Sequence, residues 1–123
     1  MAEKTVLYVE DNPANLKLVS QIIKQRGHLT LLSAQEPKLG IELATTHKPD
    51  LILLDINLPG MDGFEILEVL QKQDETKDIP VLAITANAMP KDVERGKKAG
   101  FKEYITKPVN VVEFLGLLDH YLG

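Results

Sequence analysis

The strongest constraint on the fold of this sequence is a repeated alternation between two kinds of segment. Short apolar runs alternate five times with longer segments whose apolar residues recur at helical spacing. The short runs cover residues 5–9, 29–33, 51–54, 81–85 and 103–105. Three of them are almost continuously apolar, as strands are when helices cover both faces of a parallel sheet. Five βα units of this size predict an α/β fold with an open, doubly wound parallel sheet.

Several residues mark where the intervening helices begin and end. Asn12 followed by Pro13 predicts an N-cap with proline at the first helical position. Asp62 and Glu65 have the spacing of a capping box. Gly100, after two lysines and an alanine, predicts a helix end. The apolar faces of the first and last helices are predicted from Leu16, Val19 and Ile23 and from Val111, Leu115, Leu118 and Leu122.

Composition narrows the class of protein. The length of 123 residues is typical of a single domain, so we expect one domain over residues 1–123. The absence of cysteine excludes a disulfide scaffold, a thiolate metal site and a cysteine nucleophile. A formal net charge of -4 argues against general binding to nucleic acid or to anionic membranes. No apolar run is long enough to span a membrane and no secretory signal is visible, so we expect a cytoplasmic protein.

The residues suited to chemistry follow the strands. Ligands of open parallel sheets bind at the carboxyl ends of the strands, where this sequence places Glu10, Asp11, Asp55, Thr85 and Lys107. Taken singly, the first two acids read as helix caps, the threonine as a strand residue and the lysine as a surface charge. Asp55 differs, because four aliphatic residues precede it and an acid at the end of a buried run needs a partner.

Three carboxylates at one edge of a sheet repel each other unless a cation compensates. Mg²⁺ prefers oxygen ligands and is commonly held by one or two carboxylates. Lys107 would add a second positive charge beside Asp55. A carboxylate between two cations is suited to attack a phosphoryl group and to form an aspartyl-phosphate. These residues therefore indicate phosphoryl chemistry at Asp55.

Together these motifs resemble a known family. Glu10-Asp11, the stretch from Asp55 to Gly63, Thr85-Ala86 and Lys107-Pro108 are similar, in order and spacing, to the receiver domain of two-component response regulators. The resemblance covers essentially the whole chain. It implies a flavodoxin-like (βα)₅ fold whose five-stranded parallel sheet has the order 2-1-3-4-5.

The resemblance also implies a role for each matching acid. Asp55 matches the phospho-acceptor, and Mg²⁺, with Mn²⁺ as an alternative, is the implied cofactor. Asp11 and Asp55 match direct metal ligands, and Asn57 matches the position whose backbone carbonyl binds the metal. Glu10 matches the acid that reaches the metal through water, although many relatives have Asp there.

Other matches imply a conformational switch. Thr85 and Lys107 match residues that contact the phosphoryl oxygens, and Pro108 matches the proline preceded by a cis peptide bond. Tyr104 matches the aromatic residue that turns inward on phosphorylation. Residues 90–98, from Pro90 to Lys98, contain one large apolar residue and so predict a weakly anchored helix that moves in the switch; a solvated helix of no special role is the alternative.

Two asparagines lie two residues beyond the acceptor and the threonine. Asn57 and Asn87 flank the path of a hydrolytic water and are predicted to tune the lifetime of the phosphorylated state, although a turn or helix-cap role fits Asn87 equally well. Phe101 stands where relatives often have a small residue, and is expected to add bulk beside Tyr104.

The implied partners are proteins. A sensor histidine kinase or a histidine phosphotransfer protein would donate the phosphoryl group, and a downstream protein would be recognised by docking of a monomer. Both a native single-domain protein and an excised receiver of a hybrid kinase fit the sequence. The residues similar to phosphorelay receivers and to the single-domain DivK-like group are Glu10, Asp11, Asn12, Asn15 and Leu16. A small exposed patch for the donor is predicted from Pro13, Ala14 and Leu18.

Two other classes of protein fit less well. A phosphatase of the haloacid dehalogenase type uses an Asp nucleophile, but needs a second acid two residues later, where this chain has Asn57. A flavodoxin-like electron carrier needs a phosphate-binding loop after the first strand, and Glu10-Asp11 would repel phosphate there. We therefore expect a phospho-accepting switch that does not turn over an external substrate.

Overall fold

The structure is a computed structural model that describes residues 3–58, 60–86 and 89–123. In these residues, five strands and five helices alternate along the chain. The strands are β1 (Lys4–Val9), β2 (Leu29–Ala34), β3 (Leu51–Asp55), β4 (Val81–Thr85) and β5 (Glu103–Thr106). The helices are α1 (Pro13–Ile23), α2 (Pro37–His47), α3 (Gly63–Lys72), α4 (Pro90–Ala99) and α5 (Val111–Leu122).

The five strands form one parallel sheet in the order β2-β1-β3-β4-β5. This confirms the predicted doubly wound (βα)₅ architecture. The register pairs Val9 with Leu54, and Asp55 with Ile84. The residue after β1 and the last residue of β3 therefore lie side by side at one edge of the sheet.

The sheet is covered on both faces. Leu7, Ile52 and Leu54 point into a core completed by α3, whereas Tyr8 and Leu53 point into a second core completed by α1 and α5. Every residue of β3 and β4 is buried, which explains why these strands read as continuous apolar runs rather than as alternating ones.

The predicted helix ends are confirmed. The side chain of Asn12 accepts hydrogen bonds from the first turn of α1, including one of 2.8 Å from the Ala14 N–H. Asp62 and Glu65 form both hydrogen bonds of a capping box at the start of α3. Gly100 ends α4 with a φ of 123°, a backbone conformation that glycine adopts without strain.

The predicted apolar face of α5 is partly wrong. Val111 is 40% exposed in the first turn of the helix, and Leu115 is only half-buried. Phe114 is buried instead, in line with Leu118 and Leu122 at a spacing of four residues. The aromatic ring fills the space against the sheet, so the buried stripe is rotated from the one that the aliphatic residues suggested.

Helix α4 is held loosely, as its sequence predicted. Its only buried residue, with the whole helix described, is Gly96, and Val93 is half-buried. No helix in the described ranges is both long and apolar enough to cross a membrane.

Candidate functional site

The predicted site residues converge at the carboxyl edge of the sheet. Glu10 directly follows β1, and Asp55 and Thr85 are the last residues of β3 and β4. The Lys107 backbone N–H donates to the Thr85 carbonyl at 2.8 Å, which places Lys107 beside the ends of the central strands. Asp11 lies next to Glu10 at the same edge, so four separate stretches of sequence contribute to one cluster.

Lys107 links two of the acids. Its Nζ donates to Glu10 Oε1 at 2.7 Å and to Asp55 Oδ2 at 3.0 Å. Both carboxylates are buried, whereas the lysine side chain keeps 20% of its surface exposed. Sequence analysis placed the lysine beside Asp55; the structure shows that one ammonium group is shared between two buried carboxylates.

Glu10 is more firmly held than the sequence suggested. Its Oε1 accepts hydrogen bonds from the Tyr8 hydroxyl at 3.0 Å and from Asn15 Nδ2 at 2.9 Å, besides the one from Lys107. Its Oε2 is buried and has no hydrogen-bond partner within the described residues. A buried carboxylate oxygen without a donor is costly, so this oxygen lacks a positively charged or hydrogen-bonding partner.

The acid cluster fits a hard divalent cation. One carboxylate oxygen from each of Glu10, Asp11 and Asp55 lies within 4.8 Å of the others, and Asp11 is exposed to solvent. Oxygen ligands from carboxylates, with room for water on one side, are what Mg²⁺ takes in proteins. The unpartnered Glu10 Oε2 gives an independent reason to expect a cation or its bound water here.

The electrostatics of the cluster differ from acid to acid. Burial, together with the neighbouring Glu10 carboxylate, raises the pKa of Asp55 to about 6, against the opposing effects of the Asn57 N–H and Lys107. Burial alone would raise the pKa of Glu10, but the neighbouring Asp55 carboxyl, the ammonium of Lys107 and the hydrogen bond from Tyr8 outweigh burial and lower it. Asp55 is therefore the acid whose charge is least favourable without a further cation.

The remaining residues predicted for the site surround Asp55. The Asn57 N–H donates to Asp55 Oδ1 at 2.9 Å, and its side-chain amide lies 3.4 Å from the Thr85 hydroxyl. The peptide bond between Lys107 and Pro108 is cis. Asn87, predicted to tune hydrolysis, lies outside the described residues.

Tyr104 borders a cleft beside the acid cluster. The cleft has a volume of about 270 Å³, and its lining includes Asn57 and Tyr104. The half-buried Tyr104 ring packs edge-to-face with Phe101, with 6.3 Å between ring centroids. Arg95 of α4 lies 4.0 Å above the ring of Phe64, which itself packs edge-to-face with Phe101. This aromatic row connects the acceptor region to α4.

Comparison with known proteins agrees with this fold and site. The profile of the response regulator receiver domain matches residues 6–119, and the chain therefore belongs to that family. It is similar to the polar-differentiation response regulator DivK of Brucella anthropi, with 42% identity over 120 residues that make up 98% of this chain and 97% of the relative. The DivK of Brucella ovis is 41% identical over the same shares of the two chains.

Solved structures show the same architecture. Chemotaxis protein CheY4 of Vibrio cholerae has a TM-score of 0.90 and 28% identity, covering 98% of this chain and 100% of the other. The receiver domain of the sensor histidine kinase PA1611 from Pseudomonas aeruginosa has a TM-score of 0.87 and 28% identity over 98% of each chain. That domain has a magnesium ion coordinated in its active-site cleft.

Sequence reasoning missed three residues of this region. Tyr8 belongs to a run that the sequence predicts as an apolar strand, but its position two residues before Glu10 places both side chains on one face. Asn15 is part of the motif shared with the family, but the motif does not reveal that its side chain donates to Glu10, five residues earlier in the chain. Gly96 had no visible signal, because its partner Tyr104 comes from a different element.

Proposed function

We propose that this chain is a phospho-accepting switch in which Asp55 receives a phosphoryl group from a phosphohistidine on a partner protein. The observation that carries the proposal is the environment of the Asp55 carboxylate. Oδ2 is bound by Lys107, Oδ1 by the Asn57 N–H, and two further acids able to hold a cation stand beside it. This arrangement orients a carboxylate nucleophile that a general base need not activate.

The transfer follows from these contacts. An Asp55 carboxylate oxygen attacks phosphorus, the P–N bond of the phosphohistidine breaks, and the electron pair of that bond stays on the imidazole. Asp11, Asp55 and the Asn57 carbonyl, with Glu10 through water, would hold Mg²⁺, which when bound offsets the negative charge of the phosphoryl oxygens. Lys107 stays beside the acceptor as a fixed positive charge, and Thr85 approaches a phosphoryl oxygen.

The energies are of the size that a switch needs, and inversion is near-complete where the two states are already close in energy. Hydrogen bonds to charged groups contribute roughly 1.5–3 kcal/mol each, so new bonds from Thr85 and Lys107 supply about 3–6 kcal/mol. Inverting a population from 1:99 to 99:1 needs about 5.5 kcal/mol. Helix α4, with little buried surface, is the element most easily shifted, and Tyr104 turning inward would transmit the change to it.

The proposed partners follow from this role. A histidine kinase or a histidine phosphotransfer protein would supply the phosphoryl group at the exposed residues Pro13, Ala14 and Leu18 of α1. A downstream protein would bind a monomer of the chain according to the state of α4. We propose that residues 1–123 form one cytoplasmic receiver domain that does not turn over an external substrate.

Acetyl phosphate tests the proposal. Incubation with acetyl phosphate and Mg²⁺ is expected to add the mass of one phosphoryl group, measured on the intact protein. The Asp55→Asn variant and an EDTA sample should show no adduct. An adduct that persists in both controls would contradict the proposal, as would continued release of phosphate from a monoester substrate.

Gly96→Ala is expected to displace the Tyr104 ring from α4. A Cβ at Gly96 would overlap Tyr104 Cε1 and lie 3.0 Å from Cδ1. The ring position of this structure would thus lose stability relative to the inward position that the family resemblance implies for the phosphorylated state, and the rate of phosphorylation by acetyl phosphate should rise several-fold. Ring resonances of ¹³C-labelled tyrosine report the displacement directly.

Gly116→Ala is the matched control for this substitution. Gly116 also lies inside a helix, α5, but a Cβ there meets no atom within 4 Å. Alanine should stabilise α5 by about 0.5–1 kcal/mol and leave the Tyr104 resonances unchanged. Identical ring resonances in the Gly96→Ala variant and the wild type would contradict the prediction.

A further inference from the structure

Tyr8 is an unusual residue for the centre of this sheet. It lies in β1 between β2 and β3, opposite Ser33 and Leu53, and its side chain is fully buried. The aliphatic residues around it in the second core require only that the position be apolar. A buried hydroxyl is costly unless it is hydrogen-bonded, and the Tyr8 hydroxyl has its bond to Glu10 Oε1.

Three donors meet on that one oxygen of Glu10. The Tyr8 hydroxyl approaches from the sheet at 3.0 Å, Asn15 Nδ2 from α1 at 2.9 Å and Lys107 Nζ from the segment after β5 at 2.7 Å. A carboxylate oxygen has two lone pairs, so Oε1 has no capacity left for a further strong bond. The other oxygen, Oε2, is buried and has no hydrogen-bond partner within the described residues.

This asymmetry fixes the carboxylate. Turning the Glu10 carboxylate out of this orientation would break all three bonds at once. Of the three donors, Tyr8 is held most firmly, because its ring is fully buried in the sheet. Asn15 is only partly buried, and Lys107 also contacts Asp55. The phenol is therefore the donor with the least freedom to move.

We propose that Tyr8 is a positioning residue for the cation site: its hydroxyl orients Glu10 so that Oε2 is reserved for the cation or a water bound to it. The inference rests on the metal site of the proposed function and adds a residue to it. Tyr8 acts through Glu10 and contacts no reacting atom. Glu10 is longer than Asp by one methylene and so has more side-chain freedom. The bond from Tyr8 holds its carboxylate in one position in the site.

The test measures cation affinity in Tyr8→Phe, which keeps the ring and removes the hydroxyl. Titration with MgCl₂ in a calorimeter is expected to show a dissociation constant about ten-fold higher than that of the wild type, the usual effect of losing a residue that orients a metal ligand. The electron paramagnetic resonance spectrum of bound Mn²⁺ should change as well, because the ligand geometry around the ion changes.

Tyr121→Phe is the matched control. The Tyr121 hydroxyl also donates to a glutamate, Glu103 Oε2 at 2.9 Å, but that pair joins α5 to β5 away from the acid cluster. It should leave both the affinity and the Mn²⁺ spectrum unchanged. Asn15→Ala removes a second donor from Oε1 at a partly exposed position and should weaken Mg²⁺ binding several-fold. This variant replaces Tyr8→Phe in the test if Tyr8→Phe does not fold.

The outcomes separate this inference from the proposed function. Unchanged Mg²⁺ affinity in Tyr8→Phe or, where that variant does not fold, in Asn15→Ala would overturn the positioning role while the cation site stands. A lower stability of Tyr8→Phe with unchanged affinity and an unchanged Mn²⁺ spectrum would make Tyr8 a core residue only. A wild-type protein that binds no Mg²⁺ would overturn both.

Discussion

Replacing Lys107 with methionine is expected to lower the free energy of unfolding of the metal-free protein by about 3 kcal/mol at neutral pH. Lys107 Nζ lies 2.7 Å from Glu10 Oε1 and 3.0 Å from Asp55 Oδ2, and both carboxylates are buried. Methionine keeps the aliphatic stem of the lysine but leaves two buried carboxylates without their shared cation. Urea unfolding in the presence of EDTA measures the loss.

Lys72→Met is the control, because Lys72 forms an ion pair that is exposed to solvent. Lys72 binds Glu68 at 2.8 Å, with the two side chains 73% and 65% exposed, and its removal should cost less than about 0.5 kcal/mol. Adding Asp55→Asn to Lys107→Met should restore part of the lost stability, because one uncompensated carboxylate disappears. Equal losses in the two lysine variants would contradict the role of Lys107 as the shared cation of two buried carboxylates.

Asp55→Asn is expected to raise the stability of the metal-free protein by about 2 kcal/mol at neutral pH. Burial and the neighbouring Glu10 raise the pKa of Asp55 to about 6 from a usual value of 3.8. A difference of this size corresponds to roughly 2–3 kcal/mol, and it already includes the opposing contacts with Lys107 and the Asn57 N–H. Asparagine is nearly isosteric and carries no charge.

The pH dependence of this gain has a definite sign. Because the pKa of Asp55 is higher in the folded than in the unfolded protein, the folded state binds this proton more tightly. The contribution of Asp55 to the free energy of unfolding therefore falls as pH rises from about 4 to about 6. Asp55→Asn removes that fall, so its advantage over the wild type should be largest above about pH 6.

Unfolding in EDTA across this pH range measures the difference. Asp74→Asn is the control, since the side chain of Asp74 is 90% exposed, and it should change stability by less than about 0.5 kcal/mol. An Asp55→Asn gain that is the same at about pH 4 and at neutral pH would show that the charge of Asp55 is not the cause.

Much of the fold could be predicted because its signals are local. The buried strands β3 and β4 appear as unbroken apolar runs, and Asn12, Asp62 and Gly100 determine helix ends through contacts within one turn. The apolar face of α5 was misread because an aromatic residue, Phe114, fills the position that the aliphatic pattern gave to its neighbours.

The site was predictable for a different reason. The carboxyl ends of parallel strands meet at one edge, so Asp55 and Lys107 could be brought together from topology alone. What topology does not determine is the direction of each side chain. The sharing of Lys107 between two acids, the bond from Tyr8 to Glu10 and the packing of Tyr104 against Gly96 depend on tertiary contacts between separate elements.

The most direct test of the central claim is to locate the acyl phosphate chemically. The protein is phosphorylated with acetyl phosphate and Mg²⁺ and reduced with borohydride, which converts an aspartyl-phosphate into homoserine. Tandem mass spectrometry of the digested protein then reads the modified position. We predict homoserine at position 55 and an unmodified Asp11. Homoserine at position 11, or an adduct that borohydride does not reduce, would contradict the assignment of Asp55 as the acceptor.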